Sequence, residues 1–553
     1  MNFTLGAVVM VRQGLRAVLR RLLSFTQRLE SMRKLQQARV ESVVAEGQVA
    51  SKRKKGLTHS TIVGFFWSFS STGIQAVLHF LVFAILSRLI TPAEFGLLNI
   101  ANTLTIFAGL FYQLGIGPSI IQRRELRPEH IRSGFTLTII LGVVLTGLSW
   151  IFAPVFASFF NIQGLVPVLR GLSFVFILNS FGLVARALNY RNLNFKIKAK
   201  INAATYVVGY GLIGVGLAAL GFGVWALVWA SLSQSFMTSL LYLKASPHSF
   251  AFQLNRRALT DLLSFGTGVT LGQIFNRLAN TSDNLIVGAT LGARAVGLYG
   301  RAYQLMVLPS QYFGQVLDSV LYTAMAKVQD QPKTLGAVYR RGVVAIALVV
   351  MPLSAFLFVL APEFVHVLIG GQWDDAILPF KIFAVTMLFR TSYKMGDSLC
   401  RSSGIVFQRA FRQFLFSVMI VGGAFFGHYY GIVGVTVGVS IAITLNFFSM
   451  AQLSFSITDT TWKRFLEIHV PAMIITVIVL CETWVLAGFL RGFGWADVYV
   501  LLISAGFVGL TLFSLVWFAP KLFLGKDGLW LLKTFGGYLP GPFQKQIDRL
   551  LYR

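Results

Sequence analysis

Charge is scarce in this chain of 553 residues, of which only 12% are Asp, Glu, Lys or Arg, about half the share usual in a soluble domain. Acids are scarcer still, 20 against 48 Lys and Arg. The two cysteines, Cys400 and Cys481, both lie in apolar stretches, which excludes a disulfide framework. No Cys/His group has metal-ligand spacing. No G-x-x-x-x-G-K-[ST] phosphate loop and no G-x-S-x-G elbow occurs, so nucleotide hydrolysis by that loop and elbow-type esterase chemistry are not expected. No cofactor is expected either.

What the chain has in abundance is apolar sequence, with 55% hydrophobic residues and a mean hydropathy of +0.70. Runs such as Phe135 to Pro154 and Ile201 to Leu243 exceed the roughly 20 residues a bilayer-spanning helix needs. They stay apolar all the way round, whereas the strands of a membrane barrel alternate over about ten residues. The expected fold is therefore an all-α polytopic membrane protein of about fourteen transmembrane helices. Six are expected near 62–87, 97–121, 134–154, 165–187, 201–221 and 223–243. Eight more follow near 262–291, 297–325, 342–361, 378–400, 411–428, 431–455, 468–490 and 498–519.

Basic residues set the expected orientation, because Lys and Arg near helix ends stay on the cytoplasmic side. They crowd one set of loops and both chain ends, while Arg88, Arg294, Arg301 and Arg491 alone fall on the other side. Both termini are thus expected in the cytoplasm. The net charge of +28 reads as a face against anionic lipid and needs no nucleic acid. The first sixty residues lack the form of a cleavable signal. Leu15, Val18, Leu22, Phe25, Leu29 and Met32 instead repeat at helical steps opposite Arg12, Arg16, Arg20 and Arg28, the pattern of an interfacial amphipathic helix, with a disordered basic tail as the alternative.

An internal repeat is visible. Gly96-Leu97, Ala101 and Leu104 recur at a constant offset as Gly297-Leu298, Ala302 and Leu305, with Ile85 and Ile286 in step, and Gly221 to Val224 resembles Gly431 to Val435. Duplicated bundles with a site between them are a common transporter plan. The expected organisation is a basic extension (1–60), a six-helix bundle (61–243), a cytoplasmic linker (244–261), a second six-helix bundle (262–455), two additional helices (456–519) and a basic tail (520–553), with a central cavity between the bundles.

Polar residues inside the apolar spans form stripes, and each costs a few kcal/mol in lipid. Gln273, Asn276, Arg277, Asn280, Asp283 and Asn284 share one face of the seventh helix. Gln304, Gln311, Gln315, Asp318 and Tyr322 share one face of the eighth, and Arg390, Lys394, Asp397 and Arg401 one face of the tenth. Ser68, Ser71, Gln75 and His79 line the first. Together they describe a hydrophilic, net basic lumen; helix-packing hydrogen bonds are the alternative for any single Asn or Gln, and packing for His79. Arg277, Arg390 and Lys394 point to an acidic or phosphate-bearing ligand. Asp283, Asp318 and Asp397 are candidates for a coupling proton or cation, with plain salt bridges as the alternative. Trp373-Asp374-Asp375 lies in the longest outer loop, Pro362 to Pro379, read as solvated and too short for a catalytic domain.

Ser87-Arg88-Leu89-Ile90-Thr91-Pro92-Ala93-Glu94-Phe95-Gly96-Leu97 resembles the junction between the first two helices of bacterial polysaccharide flippases. These form the polysaccharide transporter branch of the multidrug/oligosaccharidyl-lipid/polysaccharide exporter superfamily. Gly115 to Pro118 with Ile120 to Arg123, Gly221 to Leu227, Asp283 to Gly288, Gly297 to Tyr299, Ala302-Tyr303 and Pro309 follow in the family's order. The likeness runs from Ser60 to Ser456. It implies a non-enzymatic carrier of undecaprenyl-diphosphate-linked sugar repeat units across a bacterial inner membrane, for exopolysaccharide or lipopolysaccharide. Membrane lipids, a polysaccharide polymerase and export machinery would be its partners. In that reading Arg277, Arg390 and Lys394 hold the diphosphate or acidic sugars, and Gln273, Asn276, Asn280, Gln311 and Gln315 bond hydroxyls. Arg88 steers or latches the outward state, or is a plain interfacial arginine. A drug or small-cation antiporter of the same superfamily, or a membrane glycan polymerase or ligase, are the alternatives; the first would want an acidic lumen and the second a large outer loop.

Overall fold

Helices start where the sequence supplies the missing acceptors of their first turn. Thr91 and Glu94 form a reciprocal capping box at the head of one helix, with Pro92 at its first position. Asn255 accepts from the backbone N–H groups of Arg257 and Ala258 at the head of another. The computed structural model describes residues 77–123, 125–314, 317–318, 321–322, 325–326, 328–458 and 460–536. Within these, the side chains of 265–276, 278–280, 406 and 534–536 stand outside the description. The expected amphipathic helix of the first sixty residues, the start of the first span with Ser68, Ser71 and Gln75, and the end of the basic tail lie outside the described residues.

In chain order the first helices are α1 (Val77–Leu89), α2 (Pro92–Gln113), α3 (Ile116–Gln122), α4 (Pro128–Phe160) and α5 (Leu165–Arg191). Then come α6 (Phe195–Ala219), which holds a π-helical stretch at Val207–Gly214, α7 (Val224–Ala245) and α8 (Arg256–Pro309). After them follow α9 (Pro332–Val359), α10 (Ala361–Leu368), α11 (Ile377–Ser402), α12 (Val406–Gly427) and α13 (Gly431–Ile457). The last four are α14 (Trp462–Glu467), α15 (Val470–Gly492), α16 (Asp497–Phe518) and α17 (Pro520–Gly536). No strand occurs among the described residues. α4 packs on α5, α5 on α7, α9 on α11, and α11 on α13, while α12 and α13 form a tight hairpin. α15 lies along α9, and α16 on α10 and α15. The broadest joint between early and late helices is that of α2 with α8.

Nine described segments are long and apolar enough to cross a membrane, and one of them, from Phe407 to Ile457, holds both α12 and α13, so the fourteen expected spans are not matched one to one. α8 and α11 are not among the nine, because the polar stripes that single them out also lower their hydropathy. The expected helices 262–291 and 297–325 run together as α8 and break at Gly292, whose φ of 81° lies in the left-handed region that glycine tolerates. A π turn at Ser310–Gly314 then replaces regular α-helix where the eighth span was expected to continue.

The segment from Pro362 to Pro379, expected to face outward, is not a solvated loop. It folds into α10 and a 3₁₀ turn at Gly371–Ala376, and Trp373 within it is fully buried. An indole carries too much apolar surface to leave in water when a ring partner stands nearby; Phe95 supplies one, at 5.8 Å between centroids. The two acids that follow, Asp374 and Asp375, remain exposed.

Candidate functional site

Two sets of contacts join the α1–α7 helices to α8 and the helices beyond it, one at each end of the bundle. At the end expected to face outward, Trp373 Nε1 donates to Ser87 O at 2.7 Å. Gln372 Nε2 donates to Ser87 O and to Ile90 O, and Arg88 donates to Val367 O. Beneath this cap, a Cβ placed on Gly96 would fall 1.6 Å from Ala293 O, and one on Gly297 would fall 1.8 Å from Pro92 O. The offset that relates Gly96 to Gly297 in the sequence repeat also relates Pro92 to Ala293. The contact is therefore reciprocal, the pattern that a two-fold relation between the two repeats would give.

At the other end, α3 and α4 hold the start of α8. Arg123 pairs with Asp261 at 2.7 Å, and Ser119 Oγ donates to Leu262 O at 2.7 Å. The N–H of Asn255 donates to Ser133 Oγ at 3.0 Å. His130 and Arg123 beside Asp261 hold its carboxyl below the ordinary carboxylate range, the His130 hydrogen bond contributing most.

Of the predicted site residues, Arg277 and Asp283 lie on α8 and Arg390, Lys394 and Asp397 on α11, while Arg88 is at the end of α1, Gln311 in the π turn and Asp318 beyond it. Asp283 is buried and accepts from Tyr299 Oη at 2.7 Å, a bond between the two sides of the Gly292 kink. Arg390 on α11 is buried with its charge facing Asp283 and Tyr303, and Phe383 packs edge-on against Tyr299 and Tyr303. One turn along, Lys394 Nζ donates to Ser310 O at 2.6 Å, in the π turn. Arg277 and Gln311 are exposed. Asp397 accepts from Arg401 at 3.0 Å and from Arg409, and Asp318 from Arg401 at 2.7 Å, so both carboxylates have the salt-bridge partners of the alternative reading. Arg88 lines a polar cavity of about 360 Å³ with His366 and the Ile369–Gln372 turn. The His79 ring packs against Tyr206, tilted at 45° with 3.9 Å between centroids. The side chains of Gln273, Asn276 and Asn280, and residue Gln315, lie outside the described residues.

Sequence reasoning missed Arg301, counting it with the outer charges. It is 7% exposed. Its guanidinium lies 3.7 Å from the centroid of Phe95, 4.3 Å from Phe83 and 5.7 Å from Trp373. Nη1 donates to Gln304 Oε1 at 2.8 Å, while the buried Nε has no partner. A cation caged by rings from α1, α2 and the outer cap, with no carboxylate among its described contacts, sits at the joint between the two sets of helices. The signal was available, since Arg301 stands three residues before Gln304 on the polar stripe of the eighth span.

The described residues form an apolar membrane bundle whose early and late helices meet at a reciprocal joint, with cations on the helices that flank it. Residues 85–378, just over half of the chain, match the family described as polysaccharide biosynthesis protein, and the chain belongs to that family. It is 26% identical over 395 residues to the lipopolysaccharide biosynthesis protein WzxC of Escherichia coli (strain K12), covering 70% of this chain and 80% of that one. It is 25% identical over 352 residues to the teichuronic acid biosynthesis protein TuaB of Bacillus subtilis (strain 168), covering 63% and 72%. Among solved structures, lipid II flippase MurJ in an inward closed conformation superposes with a TM-score of 0.64 at 14% identity, over 82% of this chain and 99% of that one. The fold is thus that of the flippase.

Proposed function

We propose that the protein carries undecaprenyl-diphosphate-linked oligosaccharide repeat units, precursors of an exopolysaccharide or lipopolysaccharide, across a bacterial inner membrane by alternating access, with both termini cytoplasmic. The observation that carries this reading is Arg301, a cation buried at the joint between the halves and covered by rings in place of an acid. Burying a charge this way is costly unless a partner arrives, and a diphosphate is a partner that a guanidinium fork fits well. Arg390 and Lys394 on α11 add positive charge along the same wall, and Arg277 adds it nearer the start of α8. Asn and Gln of the α8 stripe would bond sugar hydroxyls. Asp283 is the carboxylate best placed to respond to a coupling ion, because it is buried and ties the two sides of the Gly292 kink through Tyr299. Membrane lipids, the polymerase and the export machinery are the proposed partners.

Two closed ends support alternating access. A carrier must open one while the other holds, and here the outer cap and the α3–α8 contacts are separate sets of hydrogen bonds. The test is a deletion strain scored for polymer at the surface and for lipid-linked oligosaccharide on the inner leaflet. Loss of polymer with inward accumulation is expected, and Arg277→Ala should reproduce it with the protein still in the membrane. Normal export by that variant removes Arg277 from the mechanism; normal export by the deletion strain removes the function.

A further inference from the structure

A second basic site lies at the end of the bundle where α9 begins, away from the joint. Arg340 is 9% exposed and its Nε has no hydrogen-bond partner; Thr460, in the link between α13 and α14, is 5% exposed with an unpartnered Oγ1. Both groups face the same space. A Cβ built on Gly336 would lie 3.4 Å from Thr460 Oγ1, 3.5 Å from Arg340 Nη1 and 3.2 Å from Thr458 Cβ. Arg341 and Arg464 stand close enough to repel the Arg340 charge, with Asp527 opposing them. Asp527 is engaged by Arg341 at 3.5 Å, and the Arg341 guanidinium lies over the Trp530 ring at 3.7 Å. Among the described residues, three arginines therefore meet one carboxylate there. Tyr339 stacks on Phe465 and fixes α9 against α14 beside the space.

A buried donor and a buried hydroxyl left without partners each cost free energy comparable to a lost hydrogen bond. Like charges gathered around them add to the cost. An anion with several acceptor oxygens would satisfy all of these groups together. The surroundings say where that anion comes from. Trp462, Leu466, Leu522 and Trp530 on α14 and α17 are exposed, with Lys463, Lys521 and Lys526 in the same segments. Tryptophan beside lysine marks the level of lipid headgroups.

We propose that Arg340, Thr460, Arg464 and Arg341 form a binding site for the phosphate of an anionic lipid headgroup, distinct from the transport path and joining α9, α14 and α17. The test uses the full chain purified in neutral detergent, titrated separately with dioctanoyl phosphatidylglycerol, dioctanoyl phosphatidylcholine and inorganic phosphate. Thermal unfolding and retained lipid by native mass spectrometry are the readouts. Phosphatidylglycerol should raise Tm saturably and phosphatidylcholine should not, since its ammonium group brings positive charge to the arginines. Arg340→Gln and Thr460→Val should each raise the half-saturating lipid concentration, Arg340→Gln by about tenfold. Lys333→Gln, an exposed charge on the first turn of α9, should leave it unchanged, as should Arg277→Ala. Saturation by inorganic phosphate that is lost in the same variants would assign the site to free phosphate and still uphold it. Equal weakening by Lys333→Gln and Arg340→Gln, or no saturable effect in the unsubstituted protein, overturns it. Thr460→Val keeps the outcome decisive if Arg340→Gln fails to fold.

Discussion

Replacing Gly96 by Ala should open the outer end of the protein. The added methyl would sit 1.6 Å from the carbonyl oxygen of Ala293 and 2.5 Å from its carbonyl carbon. Both are backbone atoms, so no side-chain rotation relieves the clash. α2 and α8 must separate there by about 1.5 Å or more to restore ordinary contact. Overpacking of this kind costs about 1–3 kcal/mol, and it falls only on the state in which the joint is closed. The closed-to-open ratio should therefore drop by about 5- to 150-fold. Spin labels at Leu89 and Leu378, both exposed near this end, would report it in a Cys481→Ser background, Cys400 being buried. The unsubstituted protein should give one short distance, and Gly96→Ala a second, longer population. Gly297→Ala should do the same, because its methyl would meet Pro92 O at 1.8 Å. The double variant should add less than the sum, since one separation relieves both clashes. An unchanged distance distribution in a folded Gly96→Ala protein would refute the claim that this contact closes the outer end.

Three other perturbations read different parts of the structure. Burial pulls the His366 imidazole down, but hydrogen bonds at 2.8 Å to Asp497 and to Asp374 outweigh it and raise the group above its usual value. Its contribution to stability is therefore complete below about pH 6.5 and fades as pH rises through the raised value; the other charged groups near it are Arg88, Glu363 and Arg491. Melting curves across that window should be steeper with pH in the unsubstituted protein than in His366→Gln, and identical slopes would sink the assignment. Arg301→Lys should lose polymer export despite keeping its charge, because an ammonium on a flexible stem does not reproduce a guanidinium stacked on Phe95; full export by Arg301→Lys would show that the stacking is dispensable. Asp397→Asn should lower Tm by several degrees, as it leaves Arg401 and Arg409 without a shared carboxylate, and a Tm equal to that of the unsubstituted protein would show these pairs contribute nothing.

Much of the fold was legible in the sequence because lipid imposes so strict a constraint. Apolar runs of span length have one stable form, and Gly96 with Gly297 already marked a repeated junction. The chain pattern could not show that these two glycines touch, since the pattern holds the repeat but not the axis that relates its halves. The stripes on the seventh and tenth helices fall on α8 and α11, yet which charges pair is a matter of rotamer and depth. Asp318 and Asp397 look alike in the sequence to Asp283, but the first two are bonded to arginines, while the third is bonded to a tyrosine with the charge of Arg390 facing it. Trp373 was hidden for a different reason. Neighbouring Gly371, Asp374 and Asp375 give the stretch the composition of a solvated loop, while its burial depends on Phe95, far away in the chain.

The separate treatment of cations and acids carries the consequence for the carrier reading. Asp318 and Asp397 neutralise Arg401 and Arg409 at the end of α11, whereas Lys394 is held by a carbonyl oxygen and Arg301 by rings and an amide. Oxygen dipoles and ring faces steady a cation without cancelling its charge. The rings over Arg301 come from three places, Phe83 on α1, Phe95 on α2 and Trp373 in the outer cap. Parting α2 from α8 would strip Phe83 and Phe95 from the guanidinium and expose a charge with an unpartnered Nε. An anion bound there would then be held more tightly in the parted state than in the closed one, and a ligand shifts an equilibrium only by such a difference. In the proposed carrier function, an anion reaching Arg301 would thus favour opening of the joint that now covers it.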